Sequence, residues 1–298
     1  MTLTDNYLNN AVIGIICKDD IAALSPSLFL NFRLGLTNYL KTKFVEVSGV
    51  SDLQDITTLI IVDEHFGPHV SIWKDDPQFV NELNNRKIKT IVFNFEKIFN
   101  SKFPWNADHQ KRLESINDLY QLVSDVDDAI ALNKKIINKQ LLSKDLKLEH
   151  HTVEKENRIL FLGQSDPVYN PGWAYSRRFN VLNDLRTRPD LPLDIHDTDR
   201  KLSYKEFLTK LASYKFILNP LGTGDFINIR FYEALRLGCI PIQQVTENML
   251  NTYSELSPNI CHRFKTTDEV CLPTRTFKKF NSSLEDYFEE INLQEQIN

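Results

Sequence analysis

This 298-residue chain has no long apolar run; the longest, residues 11–17, is seven residues, against about 20 for a membrane helix. A bilayer span is therefore excluded. Its first ten residues are polar and offer neither a basic start nor an apolar core, so they do not read as a secretory signal. The expectation is a soluble, cytoplasmic protein. Cysteine is sparse: Cys17, Cys239, Cys261 and Cys271, with no Cys-x-x-Cys pair. That distribution favours buried thiols over a disulfide framework or a zinc site. An excess of positive charge is missing too, since the formal net charge is −5, and this argues against nucleic acid or an anionic membrane as partner. Internal repeats and low-complexity tracts are absent, and 42% hydrophobic residues exclude a disordered chain.

What remains is a globular chain long enough for one large domain or two ordinary ones. Its first half alternates short branched apolar runs with segments of helical periodicity, which implies βα units and a parallel sheet. Strands are expected near residues 12–17, 44–47, 59–63 and 88–94, with helices near 28–40, 78–86 and 108–122. Residues 125–146 read as polar and helical, and the charged stretch 147–157 reads as a linker. A second βα series follows: a strand at 158–163, a helix near 175–185, a strand at 192–195, a helix near 204–214 and a strand at 216–219. A helix near 229–237 and an apolar segment at 239–242 complete it. Ser203 with Glu206 three residues later has the spacing of a capping box. The expected domains are 1–150 and 151–275. A C-terminal segment, 276–298, with one acidic amphipathic helix over 285–296, is expected to pack back on them. Two doubly wound domains place a cleft between them, because ligands bind beyond the carboxyl ends of such strands.

The most informative stretch runs from Tyr214 to Ile242. It reads as strand, loop, helix and strand, with Gly222, Thr223 and Gly224 in the loop. The two glycines let backbone approach a ligand and take positive φ where needed. The loop feeds a helix N-terminus suited to a phosphate. Arg230, in or near the first turn, can add a bidentate contact to the same anion. Glu233 follows three residues on; repelled by phosphate, its sensible partner is a pair of hydroxyls such as a ribose diol. Singly, each of these is an ordinary turn or a solvated helical pair. Together, at the carboxyl end of a strand, they point to a nucleoside diphosphate.

The run Arg230-Phe-Tyr-Glu-Ala-Leu resembles the C-terminal signature of the exostosin-like glycosyltransferases, in company with Gly238-Cys-Ile-Pro-Ile242, Tyr214-Lys-Phe and Asn219-Pro-x-Gly222. The likeness covers about 30 residues closely and extends from Arg158 to Ile242, where Phe161-Leu-Gly163 and Arg177-Arg178 match that family's strand and following arginine. It implies an α/β chain of GT-B type: two Rossmann-like domains with parallel sheets facing across a cleft, 1–150 on the acceptor side and 151–275 binding the nucleotide sugar. It also implies inverting transfer from a nucleoside diphosphate sugar, a UDP-sugar first, to a glycan hydroxyl. By position, Arg230 would meet the diphosphate, Glu233 the ribose and Arg178 a second phosphate oxygen. No metal and no cofactor beyond the donor are implied. Retaining relatives often carry a second glutamate eight residues after the first; here Pro241 stands eight after Glu233. The α1,3-fucosyltransferases, which use GDP-fucose, share the Tyr-Lys-Phe strand but have Thr-Glu-Lys where this chain has Asn228-Ile-Arg230. A binding module without turnover is the alternative from another class. A two-lobed small-ligand receptor would leave Arg230 and Glu233 unexplained.

An inverting displacement needs a general base for the attacking hydroxyl. Asp63, Glu64 and His65 cluster where the apolar strand ends, and they are the leading candidates; Asp19, Asp20 and Glu96 follow other strands and rank behind. The same cluster also reads as a helix cap with solvated neighbours. Asp197-Thr-Asp199 has the metal-binding Asp-x-Asp pattern of another transferase class, but its place in a charged loop before Ser203 favours a solvated role. His150, His151 and His262 lack metal-ligand spacing. Tyr169, Trp173 and Tyr175 read first as packing and second as stacking surfaces for a sugar or base.

Overall fold

A computed structural model describes residues 12–17, 26–63, 77–95, 98–99, 105–134, 136–164, 173–197, 202–222 and 224–297. The chain divides into two compact units: residues 1–139, 143–145 and 283–298 form the first, and residues 140–142 and 146–282 form the second.

In the first unit the elements run β1 (Ile13–Ile16), α1 (Pro26–Leu40), β2 (Val45–Glu46), β3 (Thr58–Asp63), α2 (Pro77–Arg86), β4 (Lys89–Asn94), α3 (Trp105–Glu114), β5 (Leu119–Val123) and α4 (Val126–Ala131). All strand pairings are parallel, in the order β2-β1-β3-β4-β5. The second unit runs β6 (Glu156–Gly163), α5 (Trp173–Arg186), β7 (Leu193–Asp197), α6 (Tyr204–Ala212), β8 (Tyr214–Asn219), α7 (Ile229–Arg236), β9 (Ile240–Gln244), α8 (Glu247–Thr252) and β10 (His262–Phe264). Its sheet is also parallel, in the order β10-β9-β8-β6-β7. Counted within each unit, both orders are 2-1-3-4-5, a doubly wound arrangement. The chain is thus an α/β protein with two Rossmann-like units.

The sheets are buried on both faces, which is why their strands read as continuous apolar runs. Along β6, Ile159 and Phe161 join Leu182, Phe216, Leu218, Ile242 and Phe264 on one face. Leu160 and Leu162 join Leu208, Leu211, Ile217 and Ala234 on the other. Successive side chains of a strand point to opposite faces. In the first unit, Leu59, Ile61, Phe79, Leu83, Val92 and Leu113 form the corresponding cluster.

The C-terminus belongs to the first unit, where α9 (Leu284–Glu290) and α10 (Leu293–Ile297) follow a capping box between Ser283 and Asp286. Phe288 packs edge-on against Phe32, ring centroids 5.3 Å apart, and meets Phe93 at 6.1 Å. Glu285 accepts hydrogen bonds from the Ser143 hydroxyl and the Lys144 amide. Gly35 of α1 gives Leu284 room, since a Cβ there would lie 2.7 Å from Leu284 Cδ2.

Three local expectations change. The helix expected to reach residue 122 ends at Glu114, and Leu119–Val123 is a strand paired with β4 from Thr90 to Asn94. Leu119, Tyr120, Leu122 and Val123 suit either period, and the open edge of β4 decides between them. The helical reading of 125–146 contracts to α4, capped by Asp125 and followed by Asn133 at φ 53°, a left-handed conformation that ends a helix. The single terminal helix is two short ones. The Ser203–Glu206 capping box, by contrast, is present in full. Cys17, Cys239 and Cys261 are buried thiols, while Cys271 is exposed. Among the described residues no helix is long and apolar enough to cross a membrane.

Candidate functional site

In the second sheet β6 pairs with β7 on one side and β8 on the other. After β6 the chain turns away through α5 toward β7, and after β8 it turns the opposite way through α7 toward β9. The carboxyl ends of β6 and β8 therefore flank a topological switch point, the place where ligands bind in open α/β sheets.

Two arginines stand at these strand ends, one from each flanking helix. Arg230, on the helix that follows β8, donates from Nη1 to the carbonyl of Leu162 on β6. Arg178, on the helix that follows β6, donates from Nη1 to the Gln164 carbonyl at 3.1 Å. Its other nitrogen lies where a side chain on Gly222 would begin, 2.6 Å from an ideal Cβ. A Cβ on Gly163 would likewise lie 3.1 Å from Arg230 Nη1. These glycines make space for guanidinium groups. Gly222 does not adopt a left-handed backbone; Gly238, at φ +71°, does.

Arg230 is held on several sides. Its Cζ sits 4.4 Å above the Phe207 ring, a cation–π contact. Its Nε is 3.6 Å from Glu233 Oε2, with side-chain exposures of 27% and 2% respectively. Tyr204 donates from its hydroxyl to the other Glu233 oxygen at 2.7 Å. Burial lowers the proton affinity of Arg230 and the Glu233 charge opposes that shift; a guanidinium stays charged regardless. The sequence spacing correctly places Arg230 and Glu233 on one face of a helix, but Glu233 faces Tyr204 and Arg230 from within.

Amides and one ion pair fix the loop between β8 and α7. Asn219 donates to Gln243, Asn228 to Asn219 at 3.1 Å, and the Leu221 amide to Gln244 at 3.0 Å. Arg177 pairs with Asp225 at 2.7 Å, leaving its neighbour Arg178 to the switch point. At the start of α7, Asn228 makes no side-chain cap; the Ile229 amide instead donates to Gln140 at 2.8 Å. The helix ends in a Schellman motif, with Gly238 donating to Leu235 at 3.0 Å and Cys239 to Ala234 at 2.8 Å.

Asp63 closes β3, in register with Asn94 of β4. The first sheet's switch point lies between β1 and β3, so Asp63 marks its carboxyl end. Glu64 and His65 lie outside the described residues, as do Asp19, Asp20, Glu96, Tyr169 and Thr223; of Trp173 and Tyr175 only the backbone of α5 is described. Asp197 ends β7 rather than lying in a loop, and Asp199 falls outside the described residues. Among the described residues no group of three or more His, Cys, Asp or Glu side chains is placed to hold a metal ion.

Sequence reasoning missed Tyr204, Phe207, Asn219, Asn228, Gln243, Gln244 and Gln140. Tyr204 and Phe207 at i, i+3 read as the apolar face of an amphipathic helix, which they also are. The amides carry no spacing signal.

No protein-family model matches the chain, and no curated protein matches it. Among solved structures it is similar to α,α-trehalose 6-phosphate synthase from Burkholderia multivorans, at 10% identity over 92% of this chain and 69% of that one, with a TM-score of 0.38. It is also similar to the ADP-heptose LPS heptosyltransferase II of E. coli, at 9% identity over 95% of this chain and 97% of that one, with a TM-score of 0.31.

Proposed function

We propose that this chain is an inverting glycosyltransferase that moves a sugar from a nucleoside diphosphate sugar to a hydroxyl of a glycan acceptor, with UDP-sugars the first donors to test. The observation that carries the reading is the pair of arginines at the carboxyl ends of β6 and β8 in the second sheet. Two guanidinium groups at the carboxyl ends of parallel strands suit a diphosphate. The two Rossmann-like units agree with the fold that the exostosin-like resemblance implies.

In this reading Arg230 and Arg178 bind the diphosphate and stabilise the charge that develops on it as it leaves. Glu233 stands beside Arg230 and is turned toward Tyr204, in place of a ribose contact, because its side chain is 2% exposed and Tyr204 donates to it. The reaction is one displacement. The acceptor oxygen forms a bond to the anomeric carbon as the bond from that carbon to the diphosphate oxygen breaks. The nucleoside diphosphate keeps the bonding electron pair, and the hydroxyl proton passes to a base among Asp63, Glu64 and His65. No resident metal or cofactor enters this scheme.

The test is calorimetric titration of UDP, GDP, ADP and CMP into wild type and Arg230→Ala, with and without Mn²⁺. Saturable binding of one diphosphate, weakened at least ~10-fold in the variant and indifferent to Mn²⁺, is expected. Binding of none of them would end the glycosyltransferase reading.

A further inference from the structure

The contacts around Arg230 raise a question of competition. An arginine beside a buried carboxylate ordinarily closes into a two-bonded fork, which occupies the same N–H groups an anionic ligand would use. Here the fork is open: Glu233 Oε2 stands 3.6 Å from Arg230 Nε, beyond hydrogen-bond length. What faces the other carboxylate oxygen is the Tyr204 hydroxyl, at 2.7 Å.

We propose that Tyr204 is a positioning residue that keeps Glu233 from closing on Arg230, so that the guanidinium remains available to a diphosphate. Its short charge-assisted hydrogen bond draws the carboxylate toward α6 and away from the fork. Helix α6 is built to supply it. The Ser203–Glu206 capping box fixes the helix start one residue before Tyr204. Tyr204 and Phe207, one turn apart, lie parallel at 11° with ring centroids 6.2 Å apart, and Phe207 carries the Arg230 guanidinium on its face. One short helix thus sets both members of the pair: Phe207 sets the height of the cation, and Tyr204 sets the distance of the anion. Neither residue is in the loop or helix that the diphosphate would touch.

The inference rests on the donor-site reading, and the experiment separates the two. Tyr204→Phe keeps the ring against Phe207 and removes only the hydroxyl; Glu233→Gln and the double variant complete a cycle. Two readouts are taken on the whole chain: the dissociation constants for inorganic diphosphate and UDP, and the NMR signal of the Arg230 Nε–H, assigned by its loss in Arg230→Lys. In Tyr204→Phe the signal is expected to move as the carboxylate closes, and diphosphate binding to weaken about tenfold, the effect of one such hydrogen bond. In the Glu233→Gln background, adding Tyr204→Phe is expected to change neither. An unmoved signal, an unchanged dissociation constant in Tyr204→Phe, or equal losses in both backgrounds overturns the proposal. Wild type that binds neither probe, while the Arg230 signal moves as described, overturns the donor-site reading and leaves the role of Tyr204 toward Glu233 supported.

Discussion

The two units share a strand order but differ in what stands at the carboxyl ends of their strands. In the first, the described ends of β4 and β5 carry a neutral amide cluster: Gln121 donates to Asn94 at 2.7 Å and to Gln110 at 2.8 Å, and Asn138 donates to the Asn94 carbonyl at 2.8 Å. The second has a comparable amide cluster at Asn219, Gln243 and Gln244, with two guanidinium groups added at the switch point beside it. Amides close a loop by satisfying its buried polar atoms. A cation at the same end of the sheet adds an affinity for anions, so topology supplies the crevice and side-chain charge selects the occupant.

The units also differ in what completes them, and the largest expected effect tests that difference. The first borrows the C-terminal helix α9, whose Phe288 is fully buried among Phe32, Phe93 and Tyr39. Phe288→Ala is expected to destabilise the first unit by about 3–5 kcal/mol and to split urea unfolding into two transitions. A single undivided transition would show that the units unfold together.

Chemistry separates the units next. Changing Asp63, Glu64 and His65 one at a time to alanine or the amide is expected to lower turnover at least ~100-fold in one case, with donor binding retained. Near-normal turnover in all three would place the base elsewhere.

A pH experiment sharpens the comparison further. Hydrogen bonds from Arg158 hold the Asp194 carboxyl below the usual aspartate value, helped by the Tyr214 hydroxyl. Its stabilising contribution is therefore present above the unfolded value, about 3.9, and is lost as pH falls through the lower folded value. Asp194→Asn is expected to cost the second unit roughly 1 kcal/mol at pH 7, given the partial exposure of the pair. The gap between variant and wild type is expected to narrow below pH 4 in stability measurements. A gap constant from pH 7 to pH 3 would remove the ion pair as its cause. An effect of similar size is expected at Gly238. An added Cβ meets nothing within 4 Å there, so Gly238→Ala is expected to cost only the left-handed strain of about 1 kcal/mol, read as a small drop in Tm.

Much of this was legible in the chain. Apolar runs on β1, β3, β4, β6 and β8, the Ser203 capping box and the placement of Arg230 and Glu233 on one helical face all come from patterns spanning a few residues. The strand at Leu119–Val123 was not legible, because its composition suits both periods and its pairing partner lies some thirty residues back, on β4. Nor was the space at Gly222 legible: Arg178, far away in the chain, fills it.

Local residue patterns were enough for the βα alternation, the division into two α/β units, the starts of α6 and α7, and an arginine and a glutamate one turn apart. Each follows from local backbone preference and hydrophobic period, which act over one or two turns. Long-range packing decided that both sheets take the same strand order and that Arg178 and Arg230 both stand at the switch point. It also decided that Glu233 answers to Tyr204. Those outcomes depend on partners as distant as Leu162 from Arg230, 68 positions apart, and on desolvation, which no window of sequence contains.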